Sequence, residues 1–171
     1  MCIASRERLL EAGQTLFSAQ GYAATSMRQV AESAGLALGG IYNHFPSKEA
    51  LFQSILLEHN PFMRYNLRRL LETIDRQQFK TLLEELTKQP DFFNLILIEL
   101  LEFKGRHLPQ LIEKIFDENP PSEASRTLLS LLIAHHITQI LLAKALPTGE
   151  QSQISPDALL DTFLAGTLKP E

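Results

Sequence analysis

The sequence predicts an all-α protein in two parts: a small N-terminal head of three helices and a larger helical body. Composition is the first reason. Leu, Ala, Glu and Gln abound, Trp is absent and β-branched runs are sparse, a bias that favours helix over strand. The second is that apolar residues recur at i, i+3, i+4 and i+7 between Gly and Pro stops, with no alternating stretch. The third is size: 171 residues, 44% hydrophobic and 21% charged, make a globular chain long enough for a head fused to a body.

Leu9, Ala12, Leu16 and Phe17 form one inward stripe over residues 5–20, with Ser5 as N-cap and Gly21 as the left-handed stop. A second helix starts at Thr25 or Ser26, packs Met27, Val30, Ala31 and Ala34, and ends at Gly35. After the turn Leu36-Ala37 comes a brief third helix with Leu38, Ile41, Tyr42 and Phe45 as its packing set, stopped by Pro46. Ser47 then caps a long fourth helix that turns Leu51, Ile55 and Phe62 inward. Further on, Pro90 opens a helix, residues 107–118 make a shorter one, and residues 122–146 form the longest apolar one. Ser155-Pro156-Asp157 starts a last helix running to about Leu168.

Two short helices joined by a tight Gly-containing turn, on a supporting helix, make a helix-turn-helix. Ile41 and Phe45 anchor the second of them, which leaves Leu38, Gly39, Asn43 and His44 facing outward. Asn43 can present its amide to a base edge and His44 a ring nitrogen to a phosphate. Adjacent glycines at Gly39 and Gly40 cost a helix about 1 kcal/mol each relative to Ala. Either something such as a DNA backbone approaches closely, or the glycines relieve crowding against the preceding helix.

At these residues the chain resembles the TetR family of transcriptional regulators. Leu9 to Leu51, reading LLEAGQTLFSAQGYAATSMRQVAESAGLALGGIYNHFPSKEAL, is similar to that family's head almost throughout. The best marks are Leu16-Phe17, Gly21-Tyr22, Thr25, Val30-Ala31, Ala34-Gly35, Gly39, Tyr42, His44-Phe45 and Ser47-Lys48-Glu49. The resemblance implies a DNA-binding head at residues 1–48 and an effector-binding, dimerising body at 49–171. It implies hydroxyls or amides of Thr25 and Ser26 at phosphate, Arg28 at the backbone or a base, and Tyr42, His44 and Lys48 at phosphates. The expected DNA set is thus Thr25, Ser26, Arg28, Leu38, Gly39, Gly40, Tyr42, Asn43, His44 and Lys48. Two positions depart from the family pattern. Ala37 replaces the usual Ser or Thr and forgoes a side-chain cap. Leu38 replaces a polar or basic residue, and suits a thymine methyl instead.

Charge alone does not point to DNA. The net charge is −4, and in residues 1–50 Arg6, Arg8, Arg28 and Lys48 balance Glu7, Glu11, Glu32 and Glu49. Where positive charge sits matters more than its total. The single cysteine, Cys2, fits a reducing cytoplasm, and the N-terminus reads as no signal peptide. The apolar run between Arg126 and Lys144 contains two His and a Gln, which suits a buried helix better than a bilayer span. Adjacent His135 and His136 point about 100° apart on a helix and cannot share one metal ion. In GLALGGIY, Ile41 stands where a phosphate loop needs Lys, and no strand precedes it. No nucleophile–base set marks an enzyme, and neither metal nor cofactor is expected.

Phe92, Phe93, Asn94, Phe103, His107, Phe116, His135 and His136 are candidate effector-pocket residues, each with ordinary core packing as the alternative. The helices at about 122–146 and 155–168 would pack against their symmetry mates in a homodimer. Two heads would then reach successive major grooves of a palindromic operator, as a repressor released by a small molecule. A reading from another class is a helical ligand-binding or interaction module whose head has lost DNA binding.

Overall fold

The computed structural model describes residues 2–59, 90–117 and 122–145, with the single positions 77, 80, 81, 84, 158, 161, 162 and 165. Among the described residues the elements are helices and no strand occurs: α1 (Cys2–Ala24), α2 (Met27–Ser33), α3 (Leu38–Tyr42), α4 (Lys48–Glu58), α5 (Pro90–Glu102), α6 (Leu108–Phe116) and α7 (Glu123–Ala145). The expected Phe62 contact and the continuous helix 155–168 lie outside the described residues.

α1 begins at Cys2, so Ser5 lies within the helix and does not cap it. The expected stop at Gly21 is a kink. Its φ of 85° and ψ of 167° break the helical path, a region of backbone space open essentially to glycine. The start of α2 is a capping box on Ser26: its Oγ accepts from the Gln29 amide at 3.2 Å while Gln29 Oε1 accepts from the Ser26 amide at 2.8 Å. α3 starts at Ala37 with no side-chain cap. Ser47 caps α4, accepting from the Ala50 amide at 3.0 Å.

α1 packs on α2, α4 and α5. Its approach to α4 is close because Gly13 has no side chain: a Cβ there would lie 2.7 Å from Ile55 Cδ1 and 3.3 Å from Leu51 Cδ2. At the lower end of the same contact, Arg6 forks onto Glu58 with N–O distances of 2.7 and 2.8 Å and lies over the Phe45 ring at 5.3 Å. The guanidinium holds the Glu58 carboxyl below the usual carboxylate range.

The core does not stop at the head. Leu9, Leu10 and Phe17 of α1 join Val30, Ile41, Leu51, Phe52 and Ile55, and the same cluster continues through Phe92, Leu95, Phe116, Leu128 and Leu132. Its joint is aromatic. Tyr22 stands edge-on to Phe52 at 5.6 Å and to Phe103 at 4.8 Å, and Phe52 stacks on Phe103 at 4.9 Å. Polar bonds rim this joint: Arg106 donates to Glu49 at 2.7 Å, Gln53 to Gln110 at 2.8 Å and Ser18 to the Asp91 carbonyl at 3.2 Å.

Candidate nucleic-acid interface

α2 and α3 are held by their inner sides alone. Val30, Ala31, Ile41 and Phe45 are almost wholly buried, whereas Ser26, Arg28, Gly39 and Asn43 are exposed. Leu38, placed both in the packing set and among the outward residues, and Tyr42, expected to pack, are 36% and 50% exposed. Ile41 on α3 and Phe45, just past its C-cap Asn43, take the inward places against the supporting helices. His44 is half-buried, its ring centroid 6.4 Å from that of Phe45.

The glycine pair has no internal reason to be small. A Cβ at Gly39 would meet nothing within 4 Å, and one at Gly40 only Leu36 Cβ at 3.9 Å, an ordinary contact. Neither has a positive φ. Relief of crowding is therefore excluded, and the outer side of α3 is free for a close approach from outside.

Two of the expected DNA residues are turned inward. Thr25 is 2% exposed. Its hydroxyl donates to the Gly21 carbonyl at 2.8 Å and accepts from Gln20 at 3.2 Å. Lys48 donates from Nζ to the carbonyls of Tyr22 and Thr25 at 2.8 and 2.9 Å, with its ammonium 4.2 Å from the centre of the Tyr22 ring. Past the kink at Gly21 the Tyr22 carbonyl takes the Thr25 amide at 3.3 Å in a turn, and the ammonium from α4 is a second donor to it and a donor to the Thr25 carbonyl beyond the helix end. Both residues brace the junction of α1 and α2 from within.

The candidate pocket residues do not converge on one site. Phe103 and His107 belong to the joint, with ring centroids 5.1 Å apart. There Glu99, fully buried, accepts from the His107 amide at 2.7 Å and pairs with His107 Nδ1 at 2.8 Å, while His107 Nε2 lies 3.5 Å from Glu49. These two residues brace the head against the body. Phe92 and Phe93 pack edge to face at 5.8 Å, and Phe116 is buried on α6. Asn94 is half-buried on α5. His135, on α7, is 9% exposed, and its Nδ1 has no partner among the described residues. Burial pushes its pKa down, so the ring is neutral at physiological pH. The side chain of His136 lies outside the described residues. A groove along α7, lined by Glu123, Arg126, Thr127, Ser130 and Leu131, contains none of the eight.

Among the described residues no three His, Cys, Asp or Glu side chains could hold a metal ion, and no helix is long and apolar enough to cross a membrane.

Residues 9–55 match the sequence description of bacterial regulatory proteins of the tetR family. The transcriptional repressor KstR2 of Mycolicibacterium smegmatis is 34% identical over 68 residues, 40% of this chain and 33% of that protein. The repressor KstR of Rhodococcus jostii is 32% identical over 134 residues, 69% of this chain and 62% of that protein. The chain spans about a third or less of the first such relatives, 33% and 28% of their lengths. Its fold is similar to SmeT, the repressor of a multidrug efflux pump of Stenotrophomonas maltophilia, with a TM-score of 0.64 at 20% identity, over 96% of this chain and 90% of SmeT.

Proposed function

This chain belongs to the TetR family of bacterial regulatory proteins, and we propose that it is a cytoplasmic, dimeric repressor that binds a palindromic operator and is released by a small molecule. One observation carries the DNA reading. The outer side of α3 is built small and open at Gly39 and Gly40 with no intramolecular reason for it. A helix presented in this way fits a major groove, where backbone must come close to phosphate and base edges. Ser26, Arg28, Leu38, Gly39, Gly40, Tyr42, Asn43 and His44 form the contact set, and Thr25 and Lys48 support it from behind. Repression is supported by relatives named as repressors.

The proposed dimer uses α7 and the segment 155–168, so that its two heads could reach successive major grooves. Sedimentation at micromolar concentration tests this, and a monomer there would refute it. For the effector, His135 is the candidate polar contact, buried on α7 with its Nδ1 unpartnered among the described residues, the kind of group that could orient a largely apolar ligand through one hydrogen bond.

Selection from random duplex DNA tests the function. The expected winner is a palindrome whose affinity falls steeply with salt. Arg28→Ala should weaken binding, and Gly39→Leu should abolish it while the protein melts as before. A folded dimer that enriches no sequence would overturn the proposal.

A further inference from the structure

The chemistry of α3 limits which bases it can read. From Ala37 to Asn43 the chain reads Ala-Leu-Gly-Gly-Ile-Tyr-Asn, with no charged side chain. Ile41 is buried, and the glycines offer no side chain. What faces outward is a branched apolar group, Leu38, 36% exposed; a phenol, Tyr42, 50% exposed; and an amide, the exposed Asn43 at the C-cap. Reading guanine in the major groove takes a double donor, Arg or Lys, onto O6 and N7, and α3 carries neither. Adenine is read by an amide that both donates and accepts, and thymine by apolar contact with its C5-methyl. Leu38 and Asn43 are those two groups.

We propose that α3 reads A·T pairs, with Leu38 packed on a thymine methyl as the specificity-determining contact and Asn43 on an adenine edge. The inference rests on the DNA-binding reading above and assigns the base chemistry of that site. A leucine at this position would also tolerate little else. A cytosine presents an amino group there, and an apolar side chain leaves that donor unpaired.

The test uses the full-length protein and the duplex selected as above. Thymines are replaced one at a time by deoxyuridine, which keeps every hydrogen bond and removes only the methyl. One thymine in each half-site should be sensitive, with a loss of about fourfold per methyl. Leu38→Ala, on an exposed position, should melt as the parent does, bind the thymine duplex more weakly and no longer distinguish thymine from uracil there. If the parent binds every uracil duplex as it binds thymine, or if Leu38→Ala retains the discrimination, the base assignment is wrong while the DNA reading stands. If no duplex is bound selectively, the DNA reading itself fails, and this inference with it.

Discussion

Lys48 gives the sharpest test of how the head is held together. Its ammonium donates to two carbonyls past the Gly21 kink, at 2.8 and 2.9 Å, and sits on the Tyr22 ring. Replacing it with methionine keeps the apolar stem and removes the charge. Hydrogen bonds from charged donors contribute about 1.5–3 kcal/mol when desolvated, and a cation on an exposed ring about 0.5–1. Lys48 is only half-buried, so water recovers part of each loss. A net cost of about 2 kcal/mol follows for Lys48→Met. With a urea slope of roughly 2 kcal/mol per molar, the unfolding midpoint should drop by about 1 M. The salt dependence of operator binding should stay as in the parent, because a residue committed to internal carbonyls releases no counterion from DNA. A phosphate contact predicts the reverse: an unchanged midpoint and a log–log salt slope shallower by about 0.9. That second pattern would refute the internal role.

Gly13→Ala should be destabilising despite alanine's better helix propensity, by about 1–2 kcal/mol, since the new methyl meets Ile55 Cδ1 at 2.7 Å in a packed core. Adding Ile55→Val removes that terminal carbon, so a double-mutant cycle in urea should show rescue, and strictly additive losses would sink the reasoning. His107→Ala leaves the buried Glu99 carboxylate without its imidazole and should cost about 3 kcal/mol or more in thermal or urea unfolding; an unchanged midpoint would show that the pair contributes nothing. For His135, the folded state resists protonation that the unfolded chain accepts near the ordinary value of 6.5. The unfolded state therefore binds more protons as pH falls below that value, and stability is lost in that direction. His135→Leu should flatten the change in urea midpoint between pH 7.5 and 5.5, and an equally steep change would refute the assignment.

Most of the head's punctuation is legible in the sequence because it is local. The Ser26 and Ser47 caps, the stop at Gly35 and the proline opening α5 each depend on neighbours within a turn or so, whereas α3 ends at Tyr42, four residues before the expected stop at Pro46. Local signals mislead at Ser5, a good cap residue that the chain bypasses by starting its helix at Cys2. They also leave α3 ambiguous, because Leu38/Tyr42 and Ile41/Phe45 share one periodicity, and only the packing of the supporting helices chooses between them. Thr25 and Lys48 escape a reading of residue types altogether. A hydroxyl and an ammonium suit a phosphate, but the carbonyls they meet lie at and just past the Gly21 kink, and in the case of Lys48 they belong to a distant stretch of chain. The bracing contacts of Phe103 and His107 are hidden for the same reason: their partners Tyr22, Phe52 and Glu49 lie far back in sequence, and no spacing reveals them.

The stack of Tyr22, Phe52 and Phe103 means that head and body share a seam whose centre is interlocked rings and whose polar bonds lie at the rim. Interlocked rings do not slide by small amounts; they keep one arrangement or exchange it for another. Under the proposed ligand response, the turn carrying Phe103 and His107 would act on the head through these ring contacts with α4 and Tyr22. A message from the body would reach DNA as a switch between two settings, not as a graded loosening.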